Sequence, residues 1–264
     1  MDGTAVALKA PASDGLGPLC AKCSIRPRYL DPGTNRLHAF CGRTCASKAA
    51  LKNPSCLFCS KAPKCFAPGS NKVVLDYCSK QCQQAAFNKG PCLLPIPPSD
   101  PKYESVRKQF NATSTATVHC IYQIVASLAV QRAYRTYRDA VAKRNNGKAN
   151  EERRFHGTVR TCTLGIAGNT AFCNSSQCRL CLILKGGFKY PSPFTNSNGL
   201  FFAVDSKYSV TYSSRGQVLG AQKAMILARI AEDQQGGDCT LPQANHRVFQ
   251  TGDAAIPAYL IMFS

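Results

Sequence analysis

Apolar positions along the C-terminal two-thirds of the chain first follow a helical spacing and then change. Tyr103, Val106 and Phe110 fall on one helical face. A longer run from Val118 to Lys143 carries Ile121, Ile124, Val125, Leu128, Tyr134, Tyr137 and Val141 at the helix period, and predicts one long leading helix. Arg132, Arg135, Arg138 and Arg144 belong to the same run and read as a solvated face. From about Arg154 the pattern shortens. Leu182–Leu184, Leu200–Ala203, Met225–Leu227, Arg247–Phe249 and Tyr259–Phe263 are brief apolar or aromatic runs with Gly, Pro, Asn or Asp near most of their ends, and they predict strands. Leading helix followed by strands predicts an α+β domain over 102–264. Before it, the Pro-rich stretch 93–101 reads as a linker and residues 1–17 as a flexible tail.

Between tail and linker the chain repeats itself. One copy, 18–50, runs Cys20-Ala-Lys-Cys23, Arg26-Pro27-Arg28-Tyr29, Pro32-Gly33, Asn35, then Cys41 and Cys45. The other, 54–92, runs Cys56-Leu-Phe-Cys59, Ala62-Pro63-Lys64-Cys65, Pro68-Gly69, Asn71, then Cys78 and Cys82. They align over about thirty residues with a single one-residue offset.

No run of about 18 apolar residues predicts a membrane span, and Met1–Leu19 lacks the basic region and apolar core of a secretory signal. The chain is therefore expected in the cytosol or nucleus with no membrane partner, where its 16 cysteines stay reduced and bind metal instead of pairing. A CxxC knuckle aims two sulfurs at one point, and a CxxxC pair fits the first turn of a helix, so Cys20, Cys23, Cys41 and Cys45 predict one structural zinc site and Cys56, Cys59, Cys78 and Cys82 a second. Cys162, Cys173, Cys178 and Cys181 suggest a third, clamping a loop. Cys65, Cys92, Cys120, Cys239 and His38 read as bystanders.

The formal charge of +19, from 33 Lys and Arg against 14 Asp and Glu, favours polyanionic partners: nucleic acid, a nucleotide or an anionic surface. Four-thiolate zinc sites, at about −2 each, would lower it only in part.

One set of motifs is chemically more specific. His156-Gly157-Thr158 is followed in order by Gly187-Phe188, by Gly199-Leu-Phe-Phe-Ala203 with Ser209 and Tyr212 behind it, and by His246 to Ile261 with its Pro257-Ala-Tyr-Leu ending. Through this ordered set, residues 102–264 resemble the catalytic domain of the poly(ADP-ribose) polymerases and tankyrases. The likeness looks closest to a fungal branch that carries four-cysteine fingers and a cysteine cluster after the His-Gly-Thr. The resemblance implies an ADP-ribosyltransferase-like split β-sheet domain that uses NAD as substrate. It implies that His156 bonds the adenine-side ribose, that Gly157 and Ser209 hold the nicotinamide carboxamide with Thr158 beside them, and that Tyr212 stacks on the ring.

Two positions depart from the family's His-Tyr-Glu set. Phe201 stands where the Tyr is expected and keeps the stacking surface. His246 stands where the Glu is expected by an ungapped alignment to the Pro257-Ala-Tyr-Leu ending. A carboxylate stabilises the positive charge that develops on the ribose as nicotinamide leaves, and a neutral imidazole brings none. The catalytic set His156, Phe201 and His246 therefore predicts single ADP-ribose transfer to a protein or nucleic-acid acceptor and no polymer synthesis. The alternative is NAD or ADP-ribose binding with little or no turnover, in a zinc-finger adaptor for nucleic acid or protein.

Overall fold

A computed structural model describes residues 17–190, 198–213, 222–233, 239–240 and 245–264. The first sixteen residues of the expected tail lie outside it. The chain divides into two compact units, 1–79 and 80–264.

In the first unit the sequence repeat is a structural repeat, matched bond for bond. Cys20 N–H donates to Arg26 O at 2.8 Å and Ser24 N–H to Cys20 O at 2.9 Å; Cys56 donates to Ala62 O and Ser60 to Cys56 O at the same distances. Ser24 and Ser60 both take the left-handed conformation, at φ 55° and 56°, that closes each CxxC knuckle. Tyr29 N–H donates to Phe40 O and Cys65 N–H to Tyr77 O, which places the one-residue offset between the knuckle and the second cysteine pair. The first copy adds a short hairpin, β1 (Leu30–Asp31) and β2 (Arg36–Leu37), and the helix α1 (Arg43–Ala50). Its second-copy counterpart is α2 (Lys80–Lys89).

The second unit continues with β3 (Cys92–Pro95), α3 (Pro101–Asn111), β4 (Val118–Val125), α4 (Leu128–Arg144), β5 (Glu151–Gly157), α5 (Arg179–Gly186), β6 (Leu200–Ala203), α6 (Ser206–Ser213), β7 (Lys223–Ala231), β8 (Cys239–Thr240), β9 (His246–Phe249) and β10 (Ala255–Phe263). Its sheet order is β3-β4-β10-β7-β5-β6-β9-β8, and every described pairing is antiparallel. The unit is mixed α+β, as the hydrophobic pattern predicts.

Three expectations are corrected. Val118–Val125 is a strand, and the helix begins only at Leu128, where Ser127 caps it by accepting from Val130 N–H. Over eight residues with Ile121, Tyr122, Ile124 and Val125 all buried, period 2 and period 3.6 cannot be told apart. Leu182–Leu184 lies in α5, not in a strand; Leu180, Cys181 and Leu184 form its buried face. The Pro-rich stretch opens with the edge strand β3, whose Leu93 and Leu94 are buried and whose Pro95 is tolerated because it sits on an edge.

The sheet divides at one place. β5 pairs with β7 over seven residues, from Glu151↔Ala231 to Gly157↔Met225, but with β6 only at Phe155↔Ala203. Beyond that pair β6 continues with β9 through four residues. One sheet face packs Phe110 of α3 against Phe155 and Phe263, at ring centroids 6.2 and 5.0 Å. The other face buries Ile226, Ala228, Phe202 and Phe249 with Leu180 and Leu184 of α5.

Candidate functional site

The described residues contain three groups of four cysteines, each with all its sulfurs within 4.8 Å of one another: Cys20, Cys23, Cys41, Cys45; Cys56, Cys59, Cys78, Cys82; and Cys162, Cys173, Cys178, Cys181. These are the three sets predicted from spacing. A tetrahedral metal about 2.3 Å from each thiolate requires sulfurs about 3.8 Å apart. Cys23–Cys41 is 3.8 Å, Cys59–Cys78 3.7 Å and Cys162–Cys178 3.6 Å. A disulfide would require about 2.05 Å, and every described cysteine is a free thiol. The sulfur sets can hold metal ions, and an all-thiolate tetrahedron suits zinc. Four protein ligands leave no open coordination position, so such metals hold structure and perform no chemistry.

Backbone N–H groups prepare the knuckles. Those of Lys61 and Ala62 hold the Cys59 thiol down to about 6. Burial, followed by the neighbouring thiols, pushes Cys41 up to about 12, because four thiolates cannot share so small a space without a cation. Cys65, Cys92, Cys120 and Cys239 stand outside all three groups, and burial raises each of their thiols.

The third group carries a feature that spacing does not reveal. Arg160, two residues before Cys162, is only 6 % exposed. It donates to Leu164 O at 2.6 Å and to Gln222 O at 2.5 Å. Burial works against its charge, and Cys162, Cys178 and Cys181 work to keep it. A buried cation thus faces the thiolates and ties their loop to the segment leading into β7. The one sequence signal was an arginine set close before a thiolate ligand, too common to single out.

A second constellation lies where the sheet divides. Past Phe155, β6 no longer pairs with β5, and the His156 side chain enters the gap: its Nδ1 lies 3.0 Å from Phe201 O. A carbonyl only accepts, so Nδ1 carries the proton and Nε2 is an acceptor. The ring packs edge-on to Phe188 at 5.1 Å and tilted to Phe202 at 5.3 Å. Burial among these rings holds the imidazole below its ordinary range despite the Phe201 bond, so it is neutral at pH 7.

Gly157 touches α6. A Cβ there would overlap Ser209 O and stand 2.9 Å from Tyr212 Cβ. Ser206 anchors that helix by donating to Phe110 O at 2.6 Å. Ser209 is buried, whereas Tyr212 is 53 % exposed and Phe201 45 % exposed. The structure thus brings His156 to the Phe201 backbone, and its strand neighbour Gly157 to Ser209 and Tyr212, with Thr158 following at the end of β5.

His246 is placed differently. It pairs across the sheet with Ala203, which pairs with Phe155, so it lies two strands from β5. Cross-strand partners share a face and neighbours in a strand alternate, so the His156 and His246 side chains leave opposite faces. The His246 ring packs on Tyr208 of α6 at 5.2 Å. Of the carboxylates near these segments, Glu151 accepts from Tyr134 Oη at 2.7 Å, Glu152 pairs with Arg154, and Glu232 pairs with Arg247 and Arg154. Asp253 is exposed in the turn before β10.

Compared with protein-family models and with curated proteins, the chain gives no match. Among the described residues, no helix is long and apolar enough to cross a membrane.

Proposed function

We propose that the second unit binds NAD at the divided sheet and transfers a single ADP-ribose to a protein or nucleic-acid acceptor, releasing nicotinamide. The observation that carries the reading is the contact of Gly157 with Ser209 and Tyr212 at the edge of β5 that β6 has left. An unpaired strand edge offers backbone N–H and C=O groups, and a carboxamide is planar with a donor and an acceptor that match them. In this reading Gly157 and Ser209 hold the carboxamide and Tyr212 covers the pyridine ring. Nε2 of His156 accepts from a ribose hydroxyl, its tautomer fixed by Phe201 O, and Phe201 adds an apolar wall. The substrate's own positively charged glycosidic nitrogen supplies the leaving group.

None of the carboxylates described above is brought to His156, and loss of such an electrostatic partner costs about 10²–10³ in rate. Turnover is therefore slow and stops at one transfer. A second reading, an NAD or ADP-ribose binder without turnover, is favoured by the ion pairs that occupy Glu152 and Glu232 and by the orientation of His246.

Incubation of the zinc-loaded full chain with NAD labelled in the adenosine half tests the transfer. Label on protein or on added nucleic acid, with stoichiometric nicotinamide, supports it. Saturable binding without label or nicotinamide replaces it with the second reading.

A further inference from the structure

The paired fingers take no part in the NAD reading, and they carry a surface of their own. Phe66 of the second copy packs on Phe40 of the first at 5.6 Å. Arg36 lies over Gly69, where an added Cβ would stand 3.3 Å from the Arg36 Nε. The copies thus pack on one another.

The exposed charge of the fingers is basic, because their few acids are engaged. Residues 17–79 hold ten Lys and Arg and two acidic residues, Asp31 and Asp76. Both acids are engaged internally. Asp31 accepts from Gly33 and Thr34 N–H at 2.9 and 3.3 Å and lies 4.0 Å from His38, while Asp76 lies 3.9 Å from the buried Lys64. Lys22, Arg26, Arg36, Arg43, Lys48 and Lys52 are exposed. The thiolate charge is partly recessed, with Cys20 and Cys56 buried.

Among these cations the first copy shows apolar side chains to water. Ile25 is 79 % and Tyr29 48 % exposed, and the cross-strand pair Leu30 and Leu37 is open too. The Tyr29 ring lies 5.6 Å from that of His38. The second copy has Cys65 where the first has Tyr29, so the ring platform belongs to one copy only.

We infer that the first finger binds single-stranded nucleic acid, with phosphates on Arg26, Arg36 and Lys22 and a base stacked on Tyr29. Cations satisfy the backbone of any polyanion, and an exposed ring on the same finger offers a stacking surface to an unpaired base face. A duplex hides those faces, and an acidic peptide lacks them.

The test is fluorescence anisotropy with the zinc-loaded full chain and labelled oligouridine, oligothymidine and duplex DNA, each of about 12 nucleotides, at roughly 50 mM salt. Both single strands bind about tenfold or more tighter than the duplex. Tyr29→Ala, with its metal content unchanged, loses about tenfold in single-strand affinity at an unaltered salt slope. Arg26→Ala with Arg36→Ala lowers the slope of log K against log salt by about 1.4 and keeps the preference for single strands. Absence of binding, equal affinity for duplex, a neutral Tyr29→Ala or equal competition by polyglutamate overturns the inference.

Discussion

The two finger groups and the third thiolate group use the same ligands, yet they stand in very different surroundings. Around the first site the buried apolar residues are few: Cys20, Ala39 and Phe40, with Phe66 against them. Around the third, Cys178 and Cys181 join a core that includes Leu164, Leu184, Phe188, Phe202, Ile226 and Leu260. Where the core is that small, metal–thiolate bonds would supply the folding energy; where it is extensive, they would only fix a loop and the start of a helix. Ligand spacing is the same kind of signal in both places, and the surroundings decide what the metal does.

Metal removal separates them most sharply. Chelation is expected to unfold the first unit completely, since structural zinc contributes about 10–16 kcal/mol in small fingers, while the β-sheet of the second unit persists. Hydrogen exchange should show protection lost throughout 17–79 and kept in β7 and β10. Equal loss in both would erase the distinction.

Arg160→Met acts on the third group alone. It leaves Leu164 O and Gln222 O without their guanidinium donor, a change of about 1–3 kcal/mol per carbonyl in the second unit's denaturant stability. Metal counting should then give two ions per chain in place of three. Gly157→Ala forces α6 off β5, because the new Cβ overlaps Ser209 O. About 1–3 kcal/mol of stability should go, with metal content untouched.

Smaller effects refine the picture at the divided sheet. His156 is held neutral by burial against Phe188 and Phe202, and its bond to Phe201 O only partly offsets that. Its folded pKa is depressed, so the unfolded chain takes up the proton first. The stability it lends is whole above an ordinary imidazole pKa of about 6.5 and declines as pH falls below that value. An NMR titration of the His156 ring should find its midpoint under 6.5. His246→Glu should leave the slow transfer unchanged, because that side chain leaves the face opposite His156; a gain of turnover would show that the two positions act together.

The three cysteine groups were legible from the residues, because thiolate spacing is set by local backbone geometry that survives out of context. The strands after Arg154 were legible for a similar reason, being short apolar runs between turn formers. Val118–Val125 was not, since a strand buried on both sides loses the alternation that would mark it. Leu182–Leu184 is helical because Cys178 and Cys181 at the start of α5 are drawn to one point, a tertiary constraint that three apolar letters cannot carry. The proposed pocket was legible only in part. Gly157 touches Ser209 and Tyr212, and His156 bonds the Phe201 backbone, whereas strand pairing sets His246 two strands from β5, and register is invisible to an alignment made without gaps. Arg160 was unreadable, because its partners are backbone carbonyls brought in by the fold.

Calorimetric titration of NAD into the zinc-loaded full chain, beside Tyr212→Ala and Ser209→Ala, puts the divided sheet to its most direct test. Saturable one-to-one binding that weakens about tenfold when the Tyr212 ring is removed, and again when the Ser209 hydroxyl is lost, is the predicted result. No heat of binding up to millimolar NAD, or binding indifferent to both substitutions, would contradict it.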